Sequence, residues 1–191
     1  MLGEWDVKVA INSFPEKVAT ALGDLNNLMG AEYTPFAYLG SQIVNGTNHA
    51  VLAEQLVVTG KDTKNIVLII LRETPQGTAI TNIERVVEGG DGMGAVTIDV
   101  QTDIPEEATK AFDFVLGEFV GASVKPFAYL ASQITKGTNY IFAATVKPVT
   151  LEGKDYVAIV TVNPLEKKAS FTDILKSNLE VSLGKPLGEW P

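Results

Sequence analysis

The chain has 191 residues, 46% hydrophobic and 20% charged, a composition that sustains packed cores and excludes a disordered polyelectrolyte. Its formal charge of -8 and pI near 4.7 oppose nucleic acid and anionic membranes as partners, because its long-range field repels both. Cysteine is absent, so disulfide staples, thiolate metal sites and a cysteine nucleophile are excluded.

The opening Met1-Leu2-Gly3-Glu4-Trp5 lacks the basic-then-apolar pattern of a secretion signal, which fits a cytoplasmic protein or a mature fragment. Residues 4–11 alternate and read as a strand. Ser13-Phe14-Pro15-Glu16 then reads as a capping box, and Val18, Ala21, Leu22, Leu25, Leu28 and Met29 recur at the spacing of one helical stripe, ended by Gly30. The period next changes to two or to short apolar runs, predicting strands over 35–44, 47–58, 66–71 and 80–87. Asn45-Gly46, Thr59-Gly60-Lys61-Asp62 and Thr74-Pro75-Gln76-Gly77 are the turns between them. The longest apolar run, 66–71, is too short to cross a bilayer.

Glu88-Gly89-Gly90-Asp91-Gly92-Met93-Gly94 reads as a linker. Its glycines are not a nucleotide loop, since a strand rather than a helix follows and no phosphate-binding lysine does. The same order then repeats: a strand over 95–101, a helix start at Asp103-Ile104-Pro105-Glu106, and a stripe of Ala108, Ala111, Phe112, Val115 and Phe119 ended by Gly121. Strands are expected over 126–135, 138–149, 156–162 and 170–179. A helix with one apolar stripe and a sheet with one apolar face bury each other. The expectation is therefore an α+β fold of two tandem domains, 1–90 and 91–191, each with one helix packed across a curved antiparallel sheet.

Direct repetition supports the two copies. Pro35-Phe36-Ala37-Tyr38-Leu39-Gly40-Ser41-Gln42-Ile43-Val44-Asn45-Gly46-Thr47-Asn48 returns from Pro126 to Asn139, changed only at Ala131, Thr135 and Lys136. A tight turn needs only its glycine repeated, yet Ser132, Gln133, Ile134, Gly137, Thr138 and Asn139 all return, while the flanking Val51-Leu52 becomes Phe142-Ala143. Retention is concentrated on the hairpin.

Gln42-Ile43-Val44-Asn45-Gly46-Thr47-Asn48 resembles the Gln-x-Val-x-Gly hairpin of the cystatins, the stefin version especially, and the element order is similar as well. The resemblance implies two cystatin-like domains and reversible inhibition of papain-like cysteine proteases. The implied wedge has three parts: Leu2-Gly3 as the opening segment, Gln42, Ile43, Val44, Asn45 and Gly46 as the first loop, and Pro75 with Gln76 in the second. A rigid, preorganised turn loses little entropy on entering a cleft. The second copy offers Gly94, then Gln133, Ile134, Thr135, Lys136 and Gly137, then Pro164 and Leu165. It departs from the pattern where Thr135-Lys136 stands for the valine pair, and both second loops lack the family's tryptophan.

A papain-like protease, or another protein, is thus the expected partner, with a non-inhibitory binding or self-assembly module as the alternative. No cofactor or metal is expected. The only histidine, His49, stands where the second copy has Tyr140 and reads as a partly exposed packing position; no base accompanies a nucleophile, so the chain is not expected to be an enzyme. Asn45-Gly46-Thr47 also matches a glycosylation acceptor, idle without secretion. Leu187-Gly188-Glu189-Trp190 repeats Leu2-Gly3-Glu4-Trp5 where a third unit would begin.

Overall fold

The computed structural model describes residues 3–175. Leu2, the end of the strand expected over 170–179 and the repeated Leu187-Gly188-Glu189-Trp190 lie outside the described residues. Two compact units emerge, divided between Glu88 and Gly89.

The first unit runs β1 (Trp5–Ile11), α1 (Glu16–Leu22), a 3-10 turn (Gly23–Asn27), β2 (Ala31–Ile43), β3 (Thr47–Val57), β4 (Thr63–Thr74) and β5 (Gly77–Glu88). Its strands form an antiparallel meander in the order β1-β2-β3-β4-β5. The second unit repeats this with β6 (Val96–Gln101), α2 (Glu106–Leu116), β7 (Ala122–Thr135), β8 (Gly137–Pro148), β9 (Tyr156–Asn163) and β10 (Lys168–Asp173).

The expected α+β class, with one helix across each sheet as the dominant architecture, is corrected by these proportions. Strand makes up 57% of the structure and helix 13%, so the chain is mostly β, two five-stranded antiparallel sheets with short helices. Two local causes are visible. The helical stripe of the first copy does not persist to Met29: α1 ends at Leu22, where Gly23, Asp24, Asn26 and Asn27 are all poor helix formers. Leu28 and Met29 are exposed, Met29 by 99%. In the second copy α2 stops at Leu116, leaving Phe119 outside it. The sheets are also not apolar on one face alone, for every residue from Ile66 to Leu71 is buried. The run of consecutive apolar residues in β4 signals burial on both faces.

The expected capping boxes do not form. Pro15 and Pro105 occupy the N-cap positions with no side-chain cap bond, so Ser13 and Asp103 stand too early to reach the first free N–H groups.

The repeated Pro-Phe-Ala-Tyr segment has a structural explanation. The pairing of β2 with β3 slips between Pro35 and Ala37 and again between Tyr38 and Gly40; that of β7 with β8 slips at the matching Pro126/Ala128 and Tyr129/Ala131. Proline cannot donate to a ladder, and inside a sheet it is accommodated at such bulges. Gly40, at φ 152°, sits so close to β1 that a Cβ would lie 2.2 Å from the Asp6 carbonyl oxygen. Each sheet carries its own apolar cluster, with Val18, Leu22 and Leu25 against Val51, Ile69 and Ile83 in the first unit. In the second, Phe112 and Tyr129 meet Phe142 edge-on at 5.2 and 5.9 Å.

Among the described residues no helix is long and apolar enough to cross a membrane.

Candidate functional site

Antiparallel pairing gathers three segments at one end of the first sheet. β2 runs into the first hairpin at Ile43, and Trp5 at the start of β1 pairs with Gln42. Thr47 pairs with Glu73, which delivers the end of β4 and the turn at Pro75-Gln76 to that same end. Hydrogen bonds join the first two segments: Gly3 N–H donates to the Ile43 carbonyl at 3.0 Å, and Gln42 Nε2 donates to the Gly3 carbonyl at 2.9 Å.

Gln42 is consequently not a surface contact. It is 1% exposed, and its amide oxygen accepts from Asn48 Nδ2 at 3.1 Å. Gln42 and Asn48 form a clamp that holds the opening segment against the hairpin. What projects is Ile43, 60% exposed, with Asn45; Val44 and Gly46 are half-buried. Both tip residues have positive φ, 47° at Asn45 and 112° at Gly46, a region that asparagine and glycine enter more readily than other residues. A Cβ at position 46 would come 2.7 Å from the Glu73 carbonyl oxygen, so only glycine lets the tip lie against β4. Arg72 Nη2, also from β4, donates to the Asn45 carbonyl and adds a side-chain bond to the tip. Pro75 and Gln76 stand exposed beyond Glu73.

The second unit rebuilds the clamp. Gln133 Nε2 donates to the Gly94 carbonyl at 2.8 Å and Gln133 Oε1 accepts from Asn139 Nδ2 at 3.1 Å. The tip carbonyl, now Lys136, is held by Asn163 Nδ2 at 3.0 Å in place of arginine. Asn163 also bonds Asn139 at 2.9 Å and accepts from the Glu166 N–H at 3.0 Å, which ties in the turn at Pro164-Leu165. Ile134, Thr135, Lys136 and Leu165 are exposed, and a Cβ on Gly137 would meet Leu165 Cβ at 2.8 Å. The two edges therefore share a brace and differ at their tips.

His49 is buried rather than partly exposed, and it is the centre of a polar chain. Its Nε2 lies 3.0 Å from Glu73 Oε2 and its Nδ1 lies 2.8 Å from the Tyr38 hydroxyl. A carboxylate only accepts, so Nε2 carries a proton, and in the neutral ring Nδ1 is then the acceptor for the Tyr38 hydroxyl. Lys17 on α1 closes the chain on Glu73 Oε1 at 2.5 Å. The lysine bond, then the histidine bond, holds the Glu73 carboxyl below the ordinary carboxylate range, while burial pushes the Tyr38 hydroxyl up. In the second copy Tyr140 instead donates to Glu107 at 2.9 Å. The chain links α1 to the residue just before the second turn.

Arg72 and Asn163 are residues that sequence reasoning did not single out, and Asn48 and Asn139 appeared there without a role. Asn48 was visible as part of the repeat; Arg72 carried no signal, because Asn163 performs its role with different chemistry. Among the described residues no three acidic or histidine side chains gather in a metal-holding group. Compared with family models, curated proteins and solved structures, the chain finds no match in any of the three.

Proposed function

We propose that the first unit is a reversible inhibitor of papain-like cysteine proteases, acting as a binding protein in the cytoplasm and catalysing nothing itself. The convergence of Gly3, the Ile43–Gly46 hairpin and the Pro75-Gln76 turn at one sheet end carries this reading. An edge of three segments tied together by strand pairing and side-chain bonds suits a cleft: ordering costs little, and exposed Ile43 supplies apolar contact. Binding through the hairpin tip requires no peptide bond to be placed at the nucleophile, so the inhibitor survives the encounter. The second unit, with Thr135 and Lys136 at its tip, is the weaker binder.

Papain titration tests the proposal. Gly46→Glu moves the turn, because its Cβ collides with Glu73, whereas Ile43→Asp changes an exposed side chain and leaves the backbone alone. Inhibition at micromolar concentration by the unaltered chain, weakened at least tenfold by Ile43→Asp, is the expected result. An unaltered chain that leaves papain fully active overturns it. Inhibition that ignores Ile43→Asp and disappears with Leu165→Asp moves the site to the second unit.

The burial of Gln42 and Asn48 favours a second reading, in which the retained hairpin residues serve the fold and the chain is a non-inhibitory binding or self-assembly module. Mass in solution that rises with concentration, together with inert behaviour toward papain, would select it.

A further inference from the structure

We propose that Asn45-Gly46 is a self-modifying site, at which the asparagine converts spontaneously to aspartate and isoaspartate and so alters the hairpin tip. The reactants are both in place. Asn45 is exposed at the tip, and its side-chain amide has no hydrogen-bond partner among the described residues. The next residue, Gly46, has no Cβ to crowd its main-chain nitrogen. Arg72 Nη2 donates to the Asn45 carbonyl oxygen. That cation withdraws electrons from the Asn45–Gly46 peptide and makes its N–H more acidic.

The chemistry needs only water. Gly46 N, having lost its proton to solvent, attacks Cγ of Asn45; the side-chain nitrogen takes a proton from water, its bond to Cγ breaks, ammonia leaves, and a five-membered imide joins the two residues. Water then opens the ring. Cleavage of the Cγ–N bond restores the main chain with an aspartate side chain. Cleavage at the main-chain carbonyl routes the backbone through Cβ and Cγ as isoaspartate. Nothing is oxidised or reduced.

Among the described residues no other place combines these features. Asn45-Gly46 is the chain's one Asn-Gly pair. Asn48, Asn65 and Asn163 are buried with their amides bonded, and bulkier residues follow them. The second hairpin has Lys136 at the matching place, which has no amide to lose. Modification therefore adds a negative charge to the first tip, and in the isoaspartate form an extra backbone methylene, while leaving the second tip unchanged. The consequence for protease binding rests on the inhibitory reading above, whereas the chemistry does not.

The test ages the full chain at mildly alkaline pH and follows each asparagine by peptide mass and by isoaspartyl methyltransferase labelling. Asn45 is expected to convert first, mainly to isoaspartate, with a several-fold slowing in Arg72→Met and no labelling at this site in Asn45→Gln. A native chain that keeps Asn45 intact while the urea-unfolded chain converts it would overturn the proposal, as would a rate unchanged in Arg72→Met. Papain inhibition measured on the same samples should fall as isoaspartate accumulates. Constant inhibition during conversion removes the functional consequence; fresh protein that never inhibits removes the inhibitory reading and leaves the modification standing.

Discussion

Gln42 shows how a residue can be retained for a reason other than the one its motif suggests. Its amide is spent inside the molecule, between Gly3 and Asn48. Asn48→Ala leaves the buried Gln42 oxygen without that donor, an expected loss of about 1–3 kcal/mol. Urea unfolding should show a lower midpoint at unchanged slope. Asn139→Ala removes two bonds, its own to Gln133 and the one it accepts from buried Asn163, and should cost at least as much although Gln133 is only half-buried. Glu73 gives a second expectation. Its folded-state pKa is depressed, so the stability it supplies is fully present above the unfolded carboxylate value of about 4.3 and is lost as pH falls through the lower folded value. Glu73→Gln should flatten that acid limb in a pH series of thermal unfolding.

Among the elements, the strands and the starts of both helices were legible, whereas the helix ends were not. Alternation and Asn-Gly or Pro-containing turns announced β2 through β5, because side-chain period and turn chemistry are local properties. The first helix was overextended because Leu25, Leu28 and Met29 keep helical spacing through a segment whose glycine and asparagines favour a tighter turn. Met29→Lys should therefore change stability by less than about 0.5 kcal/mol, where a residue on a buried stripe would cost several times more. Phe142→Ala removes a fully buried ring that touches two others and should cost about 3–5 kcal/mol. Both are measurable by chemical denaturation. The candidate edge was legible as three stretches of sequence, but their brace was not: the pairing of Gln42 with Asn48, and of Arg72 with a tip carbonyl, depends on strand register that no local pattern encodes.

For the chain as a whole, an acidic balance sets how copies meet. With a net charge of -8 at neutral pH, mutual repulsion opposes association, and it vanishes near the pI of about 4.7. Light scattering across a pH series should therefore show growing particle mass toward that value, and well above it added salt, by screening the repulsion, should act in the same direction. Duplication has a further practical meaning. The same glutamine-asparagine clamp closes on Gly3 in one unit and on Gly94 in the other. Hydrogen exchange at the side-chain amides of Gln42 and Gln133, which donate those two bonds, shares pH, temperature and solvent in a single sample, so their ratio is an internal standard: the polypeptide is its own calibrant, and any treatment that shifts one signal alone has acted on one edge.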